Sequence, residues 1–389
     1  MKKKVAIVNQ RYGSEVNGGS EYYTKKLAEH LNEYYDIEVL TTTALNYDTW
    51  EPYYSAGVKM EDGIYVHRFH VAKTRNVITF KFINKMVRLF PAFRKLLEPM
   101  WIKSQGPYCP QLISYIKDHK NDFDAFVFVT YLYYTTAAGI PEVSEKAILV
   151  PTAHDEYCIY FRVYEEIFRS TKGIVYLTEE EERFAEQLFN NHDIPHEIAG
   201  SGIDISDDIT GENFKKKYGI ESDYVIYVGR VDTSKNCDEL FKYFSEFNKR
   251  KCGTLKLVVV GKLMMAEPKN EQICCLGFIS EEDKKSAIAG AKVLIMPSEY
   301  ESLSLAVLEA MAIGIPVMVN GACSVLVGHC KRSGAGITYR TYEQFEKGMV
   351  SLLQDEMKSQ KMSIAGKRYV SENYNWDKTV EKYRKIIEL

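Results

Sequence analysis

The chain has 389 residues, too many for one compact hydrophobic core, so two domains are expected. Its 46% hydrophobic and 26% charged residues are ordinary for a soluble globular protein, and a net charge of −3 leaves no basic footprint for nucleic acid. The opening VAIV run is too short for a signal peptide, no run of about 18 apolar residues could span a membrane, and the eight cysteines form no CxxC pair, which predicts reduced thiols in a cytoplasmic protein.

Residues 3–10 form a short apolar run that suits a buried parallel strand, followed by the glycine-bearing loop RYGSEVNGGSE and a helical pattern with Leu27 and Leu31 four apart. Residues 37–43, 123–131 and 147–155 read as further strands, and 173–189 as a strand followed by a helix. The pattern then starts over, with strand, loop and helix over 224–247, a strand at 255–262, a helix at 281–291 and a strand at 292–298. A helix from about Ser302 and a strand at 316–319 follow, and YNWDKTVEKYRKIIEL closes the chain as an amphipathic helix. Strands alternating with helices predict two doubly wound α/β domains, with ligand bound at the carboxyl ends of the strands. The division expected is 1–200, 201–373 and a closing helix at 374–389, with the glycines of GSGID (200–204) as the hinge.

Four constellations carry candidate chemistry. Gly18 and Gly19 precede a helix, where unobstructed backbone N–H groups cradle an anion; a tight turn explains the pair equally well, and the spacing from Gly13 is not the GxGxxG fingerprint. His154 follows the apolar strand AILV, with Asp155 and Glu156 adjacent. Arg230 and Lys235 lie in the loop VGRVDTSKN, where two cations beside a helix start suit a diphosphate and neutralise a leaving group without a metal ion. Glu301 and Glu309 stand eight residues apart in SEYESLSLAVLEAMAIGIPVMV. On a helix that separation is about 12 Å with about 80° of rotation, too far to share a proton or an ion but suited to the two ends of one hydroxyl-rich ligand. A helix-start acid at Glu301 and a surface acid at Glu309 are the plainer alternative.

Two other features compete for a role. Asp122 and Asp124 make a DxD pair, a pattern that can hold a metal ion, but at the entrance of a strand rather than its carboxyl end. Residues 73–103 carry Lys73, Arg75, Lys81, Lys85, Arg88, Arg94, Lys95 and Lys103 against the single acid Glu98. Lys81, Asn84, Lys85 and Arg88 fall on one polar helical stripe among aromatic and aliphatic residues, and Pro91 should break the helix. Such a segment suits an anionic membrane surface, or simply packs on its domain.

The ordered set Gly18-Gly19, His154, Arg230, Lys235 and Glu301-x7-Glu309, with EAMAIGIPV and the closing YNW, resembles the retaining glycosyltransferases of family 4, which have the GT-B fold of two Rossmann-like domains facing across a cleft. The resemblance implies that the closing helix returns to the first domain. It implies that Glu301 contacts the transferred sugar, Glu309 the ribose, and Arg230 and Lys235 the diphosphate, aided by amides near Leu303, Ser304 and Leu305 and by Gly19. His154 would lie near the transferred sugar and the base near Phe278 and Ile279. The donor would be a nucleoside-diphosphate sugar, used without cofactor or metal; the acceptor would be a glycan or lipid-linked saccharide at the inner face of the cell membrane. Ser302 and Ser304 stand where many members have glycine. A dehydrogenase would need the missing GxGxxG; a non-catalytic nucleotide-sugar or glycan-binding protein is the alternative on the same scaffold.

Overall fold

The computed structural model describes residues 2–205, 209–251 and 253–389, and the chain divides into two compact units. The first comprises residues 1–201 with 376–389, the second 202–375. No described helix is long and apolar enough to cross a membrane.

The first unit holds β1 (Lys4–Val8), β2 (Asp36–Thr42), β3 (Gly57–Glu61), β4 (Ile64–Phe69), β5 (Ala125–Val129), β6 (Ala147–Val150), β7 (Gly173–Tyr176) and β8 (His196–Ile198). They lie in the order β3-β4-β2-β1-β5-β6-β7-β8, all parallel except the β3–β4 pair. β1, β5 and β6 are buried almost throughout because helices cover both faces, which is why they read as continuous apolar runs. The β3–β4 hairpin turns on Asp62 and Gly63, both at positive φ (49° and 80°), as a two-residue primed turn requires.

The last helix, Trp376–Ile387, belongs to the first unit. Tyr383 is fully buried with its hydroxyl 2.6 Å from that of Tyr23, and Ile386 packs so closely on Gly173 that a Cβ there would lie 2.7 Å from it.

The second unit holds β9 (Tyr224–Val228), β10 (Lys256–Val260), β11 (Ile273–Gly277), β12 (Leu294–Met296), β13 (Val317–Asn320) and β14 (Gly336–Tyr339), all parallel, in the order β11-β10-β9-β12-β13-β14. The strands run outward from β9 in one direction and from β12 in the other. The order therefore reverses between β9 and β12, the place in a doubly wound sheet where two loops part and leave room for a ligand. In the first unit the reversal lies between β1 and β5.

The basic segment forms two helices, Val77–Leu89 and Arg94–Gln105, with the break at Pro91. The expected polar stripe is divided. Asn84 faces inward and accepts a hydrogen bond from Trp101 Nε1 at 2.8 Å, and Arg88 stacks on Tyr157, because Ile83, Val87 and Trp101 anchor that side to the core. Arg75 is likewise tied to the Gln105 carbonyl and lies over Trp50. The opposite side exposes Ile78 (80%), Phe82, Leu89, Phe93, Leu96 (71%) and Met100 beside Lys81, Lys85 and Lys95.

Candidate active site

The loops after β9 and β12 bring Arg230, Lys235 and Glu301 together at the reversal of the second sheet. Gly229 and Gly261 end neighbouring strands so tightly that a Cβ on Gly261 (φ 137°) would sit 1.9 Å from the Gly229 carbonyl oxygen; only glycine fits. This close approach launches the loop that carries Arg230. Asp232 then caps the turn at Thr233–Lys235, accepting from the Lys235 backbone N–H at 3.0 Å, pairing with Arg230 and receiving the Ser234 hydroxyl at 2.6 Å. Burial opposes its charge, yet these hydrogen bonds and the Arg230 guanidinium hold the Asp232 carboxyl below its ordinary range. Lys235 Nζ reaches across to Glu301 Oε1 at 2.7 Å. Asp232, unremarked in the sequence, thus orients both cations.

The helix expected from about Ser302 begins at Leu305 and runs to Ile313, so Glu301 stands in the preceding loop rather than on the helix. The reason is Ser304, which caps the helix in a left-handed conformation (φ 66°, ψ 76°) and breaks the helical path before it. Its Oγ is buried without a hydrogen-bond partner among the described residues. Strain and an unsatisfied hydroxyl coincide at one helix N-terminus, the kind of cost that folds tolerate where a ligand binds. Leu303 is buried, and its carbonyl accepts from the buried His329 Nε2 at 2.8 Å, which fixes the loop from below. Replacing Ser304 by glycine removes both penalties at a conformation glycine adopts freely. It should raise the melting temperature by about 2–4 °C per kcal/mol gained, with a gain of about 1 kcal/mol after the extra unfolded-state freedom of glycine. Scanning calorimetry that shows a lower melting temperature refutes the strain.

Glu309 is not the surface acid of the plainer alternative. It lies buried on the same helix, its Oε1 2.8 Å from Nζ of Lys284 on helix Glu281–Ala289. Burial raises its carboxyl above the ordinary range and Lys284 opposes that rise. Phe278, 59% exposed, and the half-buried Ile279 follow β11 at the carboxyl edge of the same sheet.

The other candidates belong to the first unit. Gly18 (φ 157°) and Gly19 open helix Gly19–Leu31. A Cβ on Gly18 would fall 2.1 Å from Glu21 Oε2, whereas Gly19 meets nothing within 4 Å. Glu21 and Arg11 form a buried ion pair completed by Gln10, with Arg11 also donating to the Leu45 carbonyl; this pair braces the glycine loop. His154 lies in the loop after β6, its Nε2 3.6 Å from Glu156 Oε1. That loop is held by the fully buried Glu181, which accepts from the backbone N–H groups of Ala153 and Leu177 and whose carboxyl burial pushes up to about 8.

Asp122 and Asp124 are engaged at the entrance of β5, with His119 and with the Lys4 backbone N–H. Among the described residues one trio, Glu182, Glu186 and His196, has ligand atoms within 4.8 Å of one another. It sits at the amino end of β8, away from the strand ends that carry His154.

Residues 210–369 match the family model described as glycosyl transferases group 1. The match is confined to the second unit and contains Arg230, Lys235, Glu301 and Glu309. The chain is 26% identical over 194 residues to an uncharacterized glycosyltransferase of Methanocaldococcus jannaschii, covering 46% of this chain and 49% of that protein. A second uncharacterized glycosyltransferase of the same organism is 26% identical over 237 residues, covering 57% and 59%. The chain thus spans about half the length of these curated relatives. The crystal structure of Anabaena HepE, in complex with UDP and glucose, superposes with a TM-score of 0.72 at 12% identity over 99% of both chains. The fold is GT-B.

Proposed function

We propose that the protein is a retaining glycosyltransferase of family 4 that moves a sugar from a nucleoside-diphosphate sugar to a glycan or lipid-linked saccharide, in surface polysaccharide or glycolipid biosynthesis. The observation that carries this reading is the Lys235–Glu301 contact at the β9–β12 reversal, within the segment that matches the glycosyl transferases group 1 model. A cation for the leaving group and a carboxylate for sugar hydroxyls stand side by side there, next to a helix N-terminus.

In this mechanism Arg230, Lys235 and the amides at Leu303, Ser304 and Leu305 hold the diphosphate and take up the charge that grows as the glycosidic bond breaks. The cations come from the protein, so the clamp works without a divalent ion. Glu301 orients the sugar, Glu309 the ribose, and Phe278 with Ile279 the base. His154 acts on the transferred sugar, and Gly18 and Gly19 contribute backbone amides. UDP-, GDP-, ADP- and TDP-sugars, screened for thermal stabilisation and hydrolysis in EDTA, test the reading, and NMR of the product anomer tests retention. Stabilisation without turnover would identify a non-catalytic binding protein instead.

The acceptor side is proposed to work on the inner face of a membrane, with the protein cytoplasmic and peripheral. The exposed apolar and cationic side of helices Val77–Leu89 and Arg94–Gln105 supports this. Each cation near an anionic surface contributes about 1 kcal/mol, within a Debye length of about 8 Å at physiological salt. The protein should therefore co-sediment with phosphatidylglycerol vesicles at low salt and dissociate as salt rises. Replacing Lys81, Lys85 and Lys95 by glutamine should abolish the association and leave donor hydrolysis unchanged. A wild-type chain that ignores such vesicles at low salt makes a soluble acceptor the better reading.

A further inference from the structure

Lys284 and Glu309 form a largely buried ion pair in the second unit. The Glu309 side chain is 5% exposed and the Lys284 side chain 15%, and Lys284 Nζ also contacts Glu281 Oε2 at 2.8 Å. Two buried charges cost desolvation energy that mutual attraction repays only in good geometry, so such a pair is weak evidence for stability and a stronger hint of another task. Among the described residues Lys284 is the ion-pair partner of Glu309, and it occupies one of the roughly four acceptor positions of a carboxylate. The rest of the carboxylate can only accept hydrogen bonds. Burial favours the protonated form of Glu309 and opposes the charge of Lys284, but Glu309 and Glu281 together outweigh burial at Lys284 and keep its ammonium charged.

We propose that Lys284 is a positioning residue for the donor: it fixes the Glu309 carboxylate as a pure acceptor, so the site selects a nucleotide with both ribose hydroxyls over its 2′-deoxy counterpart. This rests on the reading of Glu309 as the ribose contact. Two hydroxyl donors match a fixed carboxylate; a deoxyribose supplies one fewer and leaves acceptor capacity unmet at a buried carboxylate.

Calorimetric titration of the full chain with UDP, GDP and ADP, each paired with its 2′-deoxy form, tests the proposal. The ribonucleotide that binds should do so about 10–100-fold more tightly than its deoxy partner. Lys284→Arg should keep both affinity and preference. Lys284→Met should weaken the ribonucleotide and shrink the preference to under about threefold, because a Glu309 without its partner can turn or take a proton and donate. Equal binding of ribo and deoxy forms to the wild type, or a full preference retained by a folded Lys284→Met, overturns the role of Lys284 while the glycosyltransferase reading stands. Should Lys284→Met not fold, the wild-type ratio and Lys284→Arg decide. Absence of binding by all of these nucleotides and by TDP overturns both.

Discussion

Replacing Lys235 or Arg230 by alanine is expected to lower donor turnover by about 10²–10³-fold, the usual loss when one preorganised electrostatic partner of a developing charge is removed. The loss should appear in kcat more than in KM, since the diphosphate charge grows as the sugar leaves. Lys235→Ala has a second consequence. Glu301 loses the ammonium 2.7 Å away that holds its carboxylate in place, so the sugar contact loosens as well. Both cations are partly exposed, and exposed pairs contribute about 0–1 kcal/mol to stability. Melting temperatures should therefore barely move. Activity lost at constant stability separates a role in the reaction from a merely structural one; losses under about fivefold in both variants would place the leaving group elsewhere.

The two glutamates should separate sharply. Glu309→Gln should weaken free nucleoside diphosphate and nucleotide sugar alike, because the ribose is common to both, by about 10–100-fold. It should also destabilise the fold, since breaking a buried pair leaves an uncompensated charge at a cost of about 3–5 kcal/mol. Glu281 stays within reach of Lys284 and places the effect at the lower end of that range. Glu301→Gln keeps the shape and a hydrogen-bond acceptor for Lys235 at a loop residue whose side chain is 14% exposed, so nucleoside diphosphate binding and stability should change little while sugar transfer falls. Identical binding profiles for the two variants in calorimetry would remove the explanation of their spacing.

The apolar runs of β1, β5, β6, β9 and β10 are legible because helices cover both faces of a parallel sheet, and alternation with helices announces a doubly wound fold. The β3–β4 hairpin escaped notice although Asp62–Gly63 is a strong turn signal; β3 is exposed along almost its whole length and has no buried face to betray it. β8, three residues long, is too short to show a period. In the candidate site, the sequence offers candidate residues but not their geometry. Lys235 and Glu301 meet only because β9 and β12 are neighbours, a fact of strand order that no local pattern records. The late start of helix Leu305–Ile313 follows from the backbone of Ser304, a residue type that gives no warning of positive φ. Lys284 and the Arg11–Glu21 pair carry no sequence signal of their own, and only tertiary burial gives them roles.

Release of nucleoside diphosphate from nucleotide sugars, measured in EDTA for the full chain and for Lys235→Ala, tests the central claim most directly. The expected result is release from at least one of the UDP-, GDP-, ADP- and TDP-sugars by the wild type, reduced by about 10²-fold or more in the variant. No release from any of them, release that returns only with added Mn²⁺, or equal rates in the two proteins would contradict it.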